Sequence, residues 1–171
     1  MNYSKILLFA SVILIAATSC SNPKNKLSKN ISAFEKELYD SQSLDKTKGL
    51  SLIDLYVDFS KQYPEDTTSA TYLYKAAEVS MNLQLATQAI GYYDELLSAY
   101  PNFSKRPECI FLKAFIYENQ LNNLDEAEKY YTQFLEEYPS HQLAKDADAS
   151  LKFLGKSPEE LVEMFQEMNA E

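Results

Sequence analysis

The sequence predicts an all-α protein built from repeating helical hairpins. Apolar residues recur at helical spacing along most of the 171 residues, and one nine-residue pattern occurs three times. The chain has 3 Gly and 6 Pro, too few for the many tight turns of a strand-rich sandwich. Hydrophobic residues make up 46% of the chain, which excludes wholesale disorder.

Composition also narrows the function. The net charge is −9 and no basic run is present, which argues against binding to nucleic-acid phosphates. Two Cys and one His leave too few ligands for a metal cage and too few partners for a catalytic triad. A glycine-rich phosphate loop is also missing from the sequence. We therefore expect a protein that is not an enzyme and that binds no cofactor, metal, nucleic acid or small-molecule substrate.

The first twenty residues have the layout of a secretory leader. Residues 6–17 are apolar or small, and as a helix they would span about 18 Å, too short for the hydrocarbon core of a membrane. The small residues before Cys20 resemble the lipobox of bacterial lipoproteins, although Ala17 stands where that motif usually has Leu. The resemblance implies that residues 1–19 are a lipoprotein signal peptide and that Cys20 is the acylated lipid anchor. The alternative is an ordinary secretory signal with an incidental Cys.

The mature chain is expected to begin with a polar tether. Residues 20–29 are mostly polar and contain a Pro, which predicts a flexible lipidated segment between the membrane and a helical repeat domain at residues 30–171. Removing residues 1–19 takes away Lys5 and no acidic residue, which changes the net charge from −9 to −10. The Ser21 that follows the Cys resembles the sorting pattern of outer-membrane lipoproteins. It implies an outer-membrane anchor with the domain facing the periplasm.

The repeated pattern is Tyr-x-x-[Phe/Leu]-x-x-x-Tyr-Pro. It occupies residues 56–64, 93–101 and 131–139, so that its prolines are 37 and 38 residues apart. The Tyr, Phe/Leu and Tyr at i, i+3 and i+7 form one stripe of a helix. The Pro ends that helix because it disfavours the α conformation in the preceding residue. Each period has room for two helices, which we place at residues 69–81 and 86–100 in the second unit.

This arrangement resembles the tetratricopeptide repeat (TPR), which has small residues at two fixed positions, then an aromatic and a proline. Those positions are filled by Ala77, Ala89, Tyr93 and Pro101 in one unit and by Ala114, Ala127, Tyr131 and Pro139 in the next. The resemblance covers about residues 46–139 and implies a right-handed, TPR-like helical-hairpin solenoid. Lys113 and Ser80 depart from the motif, and one extra residue is expected in the turn at residues 119–123. The alternative is an ordinary helical bundle.

Amphipathic segments flank the repeats. Residues 27–39 have apolar side chains at helical spacing before the first copy, and a second stripe occupies residues 143–154. Ser157, followed by Pro and then by Glu160, is typical of a helix N-terminus. We expect this last segment to be a C-terminal capping helix over the end of the array, and about eight helices in all.

The whole layout resembles the small bacterial TPR lipoproteins, such as the lipoprotein subunit of the outer-membrane β-barrel assembly machinery and related periplasmic TPR proteins. The resemblance implies a membrane-anchored periplasmic adaptor that binds another envelope protein or peptide. Its setting would be outer-membrane protein assembly or envelope organisation. The alternative is a structural envelope lipoprotein with no peptide-binding groove.

In TPR proteins the first helix of each hairpin lines a concave groove. The motif positions that face this groove fall on Tyr74, Glu78, Met81 and Asn82 in one unit and on Phe111, Phe115, Glu118 and Asn119 in the next. Exposed aromatic rings beside amide groups suit a bound peptide or helix. The alternative is that Phe111 and Phe115, four residues apart, belong to the core.

Overall fold

The protein's structure, a computed structural model, describes residues 22–39 and 45–168. Within these ranges the chain forms eight α-helices and no β-strand. The helices are α1 (Pro23–Tyr39), α2 (Lys46–Gln62), α3 (Thr67–Asn82), α4 (Ala86–Ala99), α5 (Arg106–Asn119), α6 (Leu124–Glu137), α7 (Ala144–Phe153) and α8 (Pro158–Met168). The predicted all-α solenoid of helical hairpins is confirmed. The predicted signal peptide at residues 1–19 and the predicted anchor Cys20 lie outside the described residues.

The Tyr-Pro corners end the second helix of each hairpin. A tyrosine follows the last helical residue of α2, α4 and α6; these cap residues are Tyr63, Tyr100 and Tyr138. The N–H of each donates at 2.8–2.9 Å to the carbonyl four residues earlier. The next residue is Pro, which disfavours a further helical turn. The chain therefore turns at the same point of every period, as the spacing predicts.

The turns inside the hairpins differ in length by one residue. Three residues separate α3 from α4, whereas four separate α5 from α6, which confirms the extra residue predicted in the second turn. Each turn holds an exposed residue in the left-handed region, Gln84 with φ 60° and Asn122 with φ 49°. The Asn123 side chain then caps α6 by accepting the Glu126 N–H at 3.2 Å.

Consecutive helices pack against each other from α1 to α7. The motif places four alanines at helix contacts, and all four are fully buried. They are Ala77, Ala89, Ala114 and Ala127. A methyl side chain at these points lets paired helices approach closely. The repeat tyrosines Tyr56, Tyr93 and Tyr131 are the largest fully buried side chains among the described residues, and each belongs to a different apolar cluster.

Both departures from the motif are buried. The Lys113 ammonium forms an ion pair with Asp94 of α4 and lies 3.9 Å from the centroid of the Tyr130 ring of α6. Lys113 thus links three consecutive helices by charge where the motif usually has an aliphatic side chain. Ser80 is also buried, and its hydroxyl has no hydrogen-bond partner among the described residues.

The first helix starts earlier than predicted. Helix α1 begins at Pro23, so residues 23–29, which we expected to form part of a flexible tether, are helical. The Asn22 side chain accepts the Lys24 N–H at 3.1 Å, and Lys24 forms an ion pair with Asp66 at the start of α3. Leu27 packs on the first apolar cluster. These contacts supply the N-terminal capping and packing that a free tether would lack.

The last helix forms as predicted and covers the end of the array only in part. Its N-terminus has the expected capping box, since Ser157 N donates to Glu160 at 2.7 Å and Glu160 N donates to Ser157 Oγ at 3.2 Å. The Phe165 ring lies 5.5 Å from that of Phe153 at the end of α7, but no described side chain of α8 is buried and Val162 is 55% exposed. The contact is limited because α7 already covers the third cluster, with Ala147 fully buried in it.

We expect Ala89→Leu to lower the free energy of unfolding by about 1–3 kcal/mol, because a larger side chain forces the helices of the hairpin apart. Ala99→Leu is the matched control, since Ala99 is an exposed alanine on the same helix. Urea denaturation measures both. Equal stability of the two variants would contradict a close helix contact at Ala89.

Candidate functional site

The predicted groove residues lie on two adjacent helices. The Gln120 side-chain amide, at the end of α5, donates to the carbonyl of Met81 on α3 at 3.0 Å. At the start of α5, the Lys105 ammonium lies 4.7 Å from the centroid of the Tyr74 ring. Helices α3 and α5 are therefore neighbours, and we call the face that carries the exposed and half-buried members of the two predicted sets the α3–α5 surface.

On α5 the two phenylalanines differ in exposure. Phe115 is 39% exposed. Phe111 is half-buried, and its ring lies 5.6 Å and 5.7 Å from the rings of Tyr131 and Phe134, edge to face in both pairs. Phe111 thus belongs partly to the core, as the alternative interpretation held, while Phe115 is available at the surface. Asn119 is exposed, and its side-chain amide donates to the Phe115 carbonyl at 3.0 Å.

On α3 the expected exposed aromatic is buried. Tyr74 is 5% exposed, and its ring lies 6.0 Å from that of Tyr93 and 5.9 Å from that of Phe103. The expectation that Tyr74 offers an open ring to a partner is therefore corrected, because the loop before α5 places Phe103 against it. Asn82 is exposed and Met81 is half-buried.

Charged side chains surround this surface. Burial raises the pKa of the Glu78 carboxyl, while a hydrogen bond from Tyr74 and the positive charges of Lys105 and Lys75 oppose that rise. One oxygen of Glu108, Oε2, is buried and has no hydrogen-bond partner among the described residues. The α3–α5 surface therefore combines an apolar ring, amides and charges of both signs.

Glu118 has a partner inside the protein. Its carboxylate accepts a hydrogen bond at 2.7 Å from the hydroxyl of Tyr131, and in the first hairpin Glu35 accepts one at 2.8 Å from Tyr56. The hydroxyl of Tyr93, the equivalent tyrosine of the middle hairpin, has no hydrogen-bond partner among the described residues. The position that Glu118 occupies, four residues after the buried alanine of its helix, is Met81 in that hairpin.

Sequence reasoning missed this pairing, although a signal for it was present. A Tyr in the second helix recurs in every unit, whereas of the two units aligned with the TPR motif only the second has a Glu four residues after the first-helix Ala. Buried hydroxyls require acceptors, so the comparison of these two units predicts a satisfied hydroxyl in Tyr131 and an unsatisfied one in Tyr93.

The structure also contains a cavity that sequence reasoning did not find. It has a volume of about 430 Å³ and lies between the start of α3 and the loop before α5, and none of the predicted groove residues lines it. It is lined by Thr67, Ala70, Ala99, Tyr100, Pro101, Asn102, Phe103 and Ser104. Two of its lining residues, Ala70 and Ala99, are alanines. The corresponding positions one period later are occupied by the larger Pro107 and Glu137. Small residues at these two positions leave the space open.

The cysteine and the histidine of the repeats, Cys109 and His141, both pack within the domain. Cys109 is buried, and desolvation raises its pKa to about 12, which keeps the thiol protonated at neutral pH. His141 packs edge to face on Phe134 and accepts the Leu143 N–H at 3.2 Å. Residues 22–39 and 45–168 contain no group of three or more His, Cys, Asp or Glu side chains that could hold a metal ion. None of the described helices is long and apolar enough to span a membrane.

Comparison with known families supports the repeat assignment. A family model of the tetratricopeptide repeat matches residues 71–102 and 108–141, which correspond to most of the α3–α4 and α5–α6 hairpins. No curated protein matches the chain. These two segments therefore match the tetratricopeptide repeat, a module that generally mediates protein–protein interaction. The Tyr-Pro copy at residues 56–64 lies outside the matched segments.

We expect Tyr131→Phe to lower the free energy of unfolding by about 1.5–3 kcal/mol, because it removes a hydrogen bond to the Glu118 carboxylate. The matched variant Tyr93→Phe removes a hydroxyl that has no partner among the described residues, and should leave stability unchanged or raise it. Denaturant unfolding of both variants measures the difference. Equal losses would show that Tyr93 also has a hydrogen-bond acceptor in solution.

Proposed function

We propose that this protein is a membrane-anchored, non-enzymatic adaptor that binds another envelope protein through the α3–α5 surface. The observation that carries the proposal is the position of Phe115, an exposed ring on the first helix of a tetratricopeptide repeat, beside the first helix of the preceding repeat. Aromatic side chains surrounded by polar groups are the usual anchors of protein interfaces.

The residues around Phe115 suggest the chemistry of the partner. Asn82 and Asn119 are exposed at the ends of α3 and α5, where their amides can both donate to and accept from a peptide backbone. Glu78 and Lys105 add charges of opposite sign on the same surface. A peptide or helix with one apolar anchor and mixed charges fits this combination best.

The proposed location rests on the leader. A short apolar segment followed by small residues and Cys20 supports export and acylation, and Ser21 supports sorting to the outer membrane with the repeats in the periplasm. We propose outer-membrane protein assembly or envelope organisation as the setting, since the resemblance to TPR lipoproteins implies these roles.

A structural lipoprotein with no peptide-binding groove is the second candidate. Two observations favour it: Tyr74 is buried beneath Phe103, and the Glu118 carboxylate is bonded to Tyr131. Both reduce the area and the charge that the α3–α5 surface offers to a partner. The two candidates differ in whether Phe115 contributes to binding.

We expect Phe115→Ala to reduce crosslinked capture of the partner by about tenfold or more, as loss of an interface anchor does. Phe34→Ala, at a phenylalanine of similar exposure on α1, is the control and should retain capture. Quantitative mass spectrometry of crosslinked envelopes gives the readout, and thermal melting verifies that both variants fold. Unchanged capture with Phe115→Ala would favour the structural lipoprotein.

Cys20→Ser is expected to abolish acyl labelling and to release the protein from the membrane fraction, because the proposed anchor is lost. Cys109→Ser is the control, since Cys109 is a buried thiol of the repeat domain. Metabolic labelling with a fatty-acid analogue, followed by fractionation, measures both variants. Labelling that persists in Cys20→Ser would exclude Cys20 as the anchor.

A further inference from the structure

Positive charge is concentrated at the N-terminal end of the array. Helix α1 contains four Lys and two Glu, a net charge of +2. Residues 45–168 contain eleven Lys and Arg against twenty-one Asp and Glu, a net charge of −10. An acidic protein with one basic helix presents very different surfaces to a charged partner at its two ends.

One face of α1 is fixed against the array. Ile31 and Leu38 are buried in the first apolar cluster. The Glu35 carboxylate accepts hydrogen bonds from the Tyr56 hydroxyl at 2.8 Å and from the Lys75 ammonium at 2.6 Å. These contacts with α2 and α3 set the rotation of α1 about its own axis.

The opposite face of α1 carries three exposed lysines, Lys26, Lys29 and Lys36. At 3.6 residues per turn they fall within about 80° of the helix circumference, on the side away from Ile31. Their ammonium groups therefore point out from the end of the array along a single helix face.

This face lies close to the proposed anchor. The Asn22 carbonyl accepts the Lys26 N–H at 3.0 Å, so the hydrogen-bonded helix reaches residue 22. Cys20 precedes Asn22 by two residues, which span at most about 7 Å of extended chain. The Debye length at physiological ionic strength is about 8 Å, so a lipid on Cys20 would hold the start of α1 within electrostatic range of the headgroups.

We propose that Lys26, Lys29 and Lys36 bind the anionic phospholipid headgroups of the membrane and thereby set the orientation of the array. The inference rests on the Cys20 anchor of the proposed function. Each ammonium near an anionic surface favours contact by about fivefold. The acidic remainder of the protein is repelled by the same surface. The repeats, with the α3–α5 surface, are thus held away from the bilayer.

The test uses the acylated protein in vesicles. The protein is reconstituted into phosphatidylcholine vesicles with and without phosphatidylglycerol, its amines are briefly acetylated, and the extent is read for each lysine by mass spectrometry. In phosphatidylglycerol vesicles we expect roughly fivefold slower acetylation of Lys26, Lys29 and Lys36, and recovery of the rate at about 1 M salt. Lys61, Lys145 and Lys156, three exposed lysines elsewhere, are the internal controls and should react equally in both vesicles.

Matched variants separate charge from fold. If the α1 lysines orient the array, phosphatidylglycerol should change the rate at which a protease cleaves the protein on vesicles. A triple variant with Lys26→Gln, Lys29→Gln and Lys36→Gln should be cleaved equally in both vesicles. The control triple variant with Lys61→Gln, Lys145→Gln and Lys156→Gln should keep the difference. Equal acetylation of the α1 lysines in both vesicles would overturn the inference. Protection seen in intact envelopes but not in phosphatidylglycerol vesicles would also overturn it, and would assign the face to an acidic protein. If mass spectrometry instead shows that Cys20 carries no acyl chain, the proposed anchor is overturned, and this inference with it.

Discussion

One buried tyrosine per hairpin is the constraint on which the array depends. Tyr56, Tyr93 and Tyr131 fill the space between helices that alanines allow to approach closely. Each phenol carries a hydroxyl into the interior, and an interior hydroxyl needs an acceptor. Glu35 and Glu118 supply that acceptor in two of the hairpins. A carboxylate that accepts a hydrogen bond from a buried tyrosine is less available to a partner. The negative charge that the α3–α5 surface offers therefore depends on which carboxylates are bonded to these tyrosines.

The repeat can be predicted from the sequence because its signals are local. The Tyr-Pro corners and the buried alanines act within one hairpin, so helix bounds and buried stripes follow from spacing. Burial that depends on other periods is harder to predict. Tyr74 is covered by Phe103, which comes from the loop between α4 and α5, and Lys113 is buried because its ammonium contacts Asp94 and Tyr130 on two other helices. The sequence therefore predicted on which helices the candidate site residues lie, but not which of their side chains are exposed.

The ends of the array illustrate the same limit. A terminal helix has one neighbour instead of two, so an amphipathic pattern shows that a helix forms without showing what it covers. The stripe in α8 predicts a capping helix, and α8 does contact α7 through the rings of Phe165 and Phe153, but no residue of α8 belongs to the last cluster. At the other end, the capping by Asn22 and the ion pair of Lys24 with Asp66 extend α1 into a segment whose composition resembled a tether. The composition of a segment does not predict contacts with distant residues of this kind.

The turns inside the hairpins have a practical consequence. Gln84 and Asn122 are exposed left-handed corners, and the two turns differ by one residue although the alanines on either side stay buried. The protein already tolerates a change of length at this place. Longer insertions in exposed loops add little closure entropy, because the cost grows only with the logarithm of loop length. An epitope or a fluorescent reporter could therefore be inserted there, at the opposite edge of the hairpins from the Tyr-Pro corners, without altering the helix contacts.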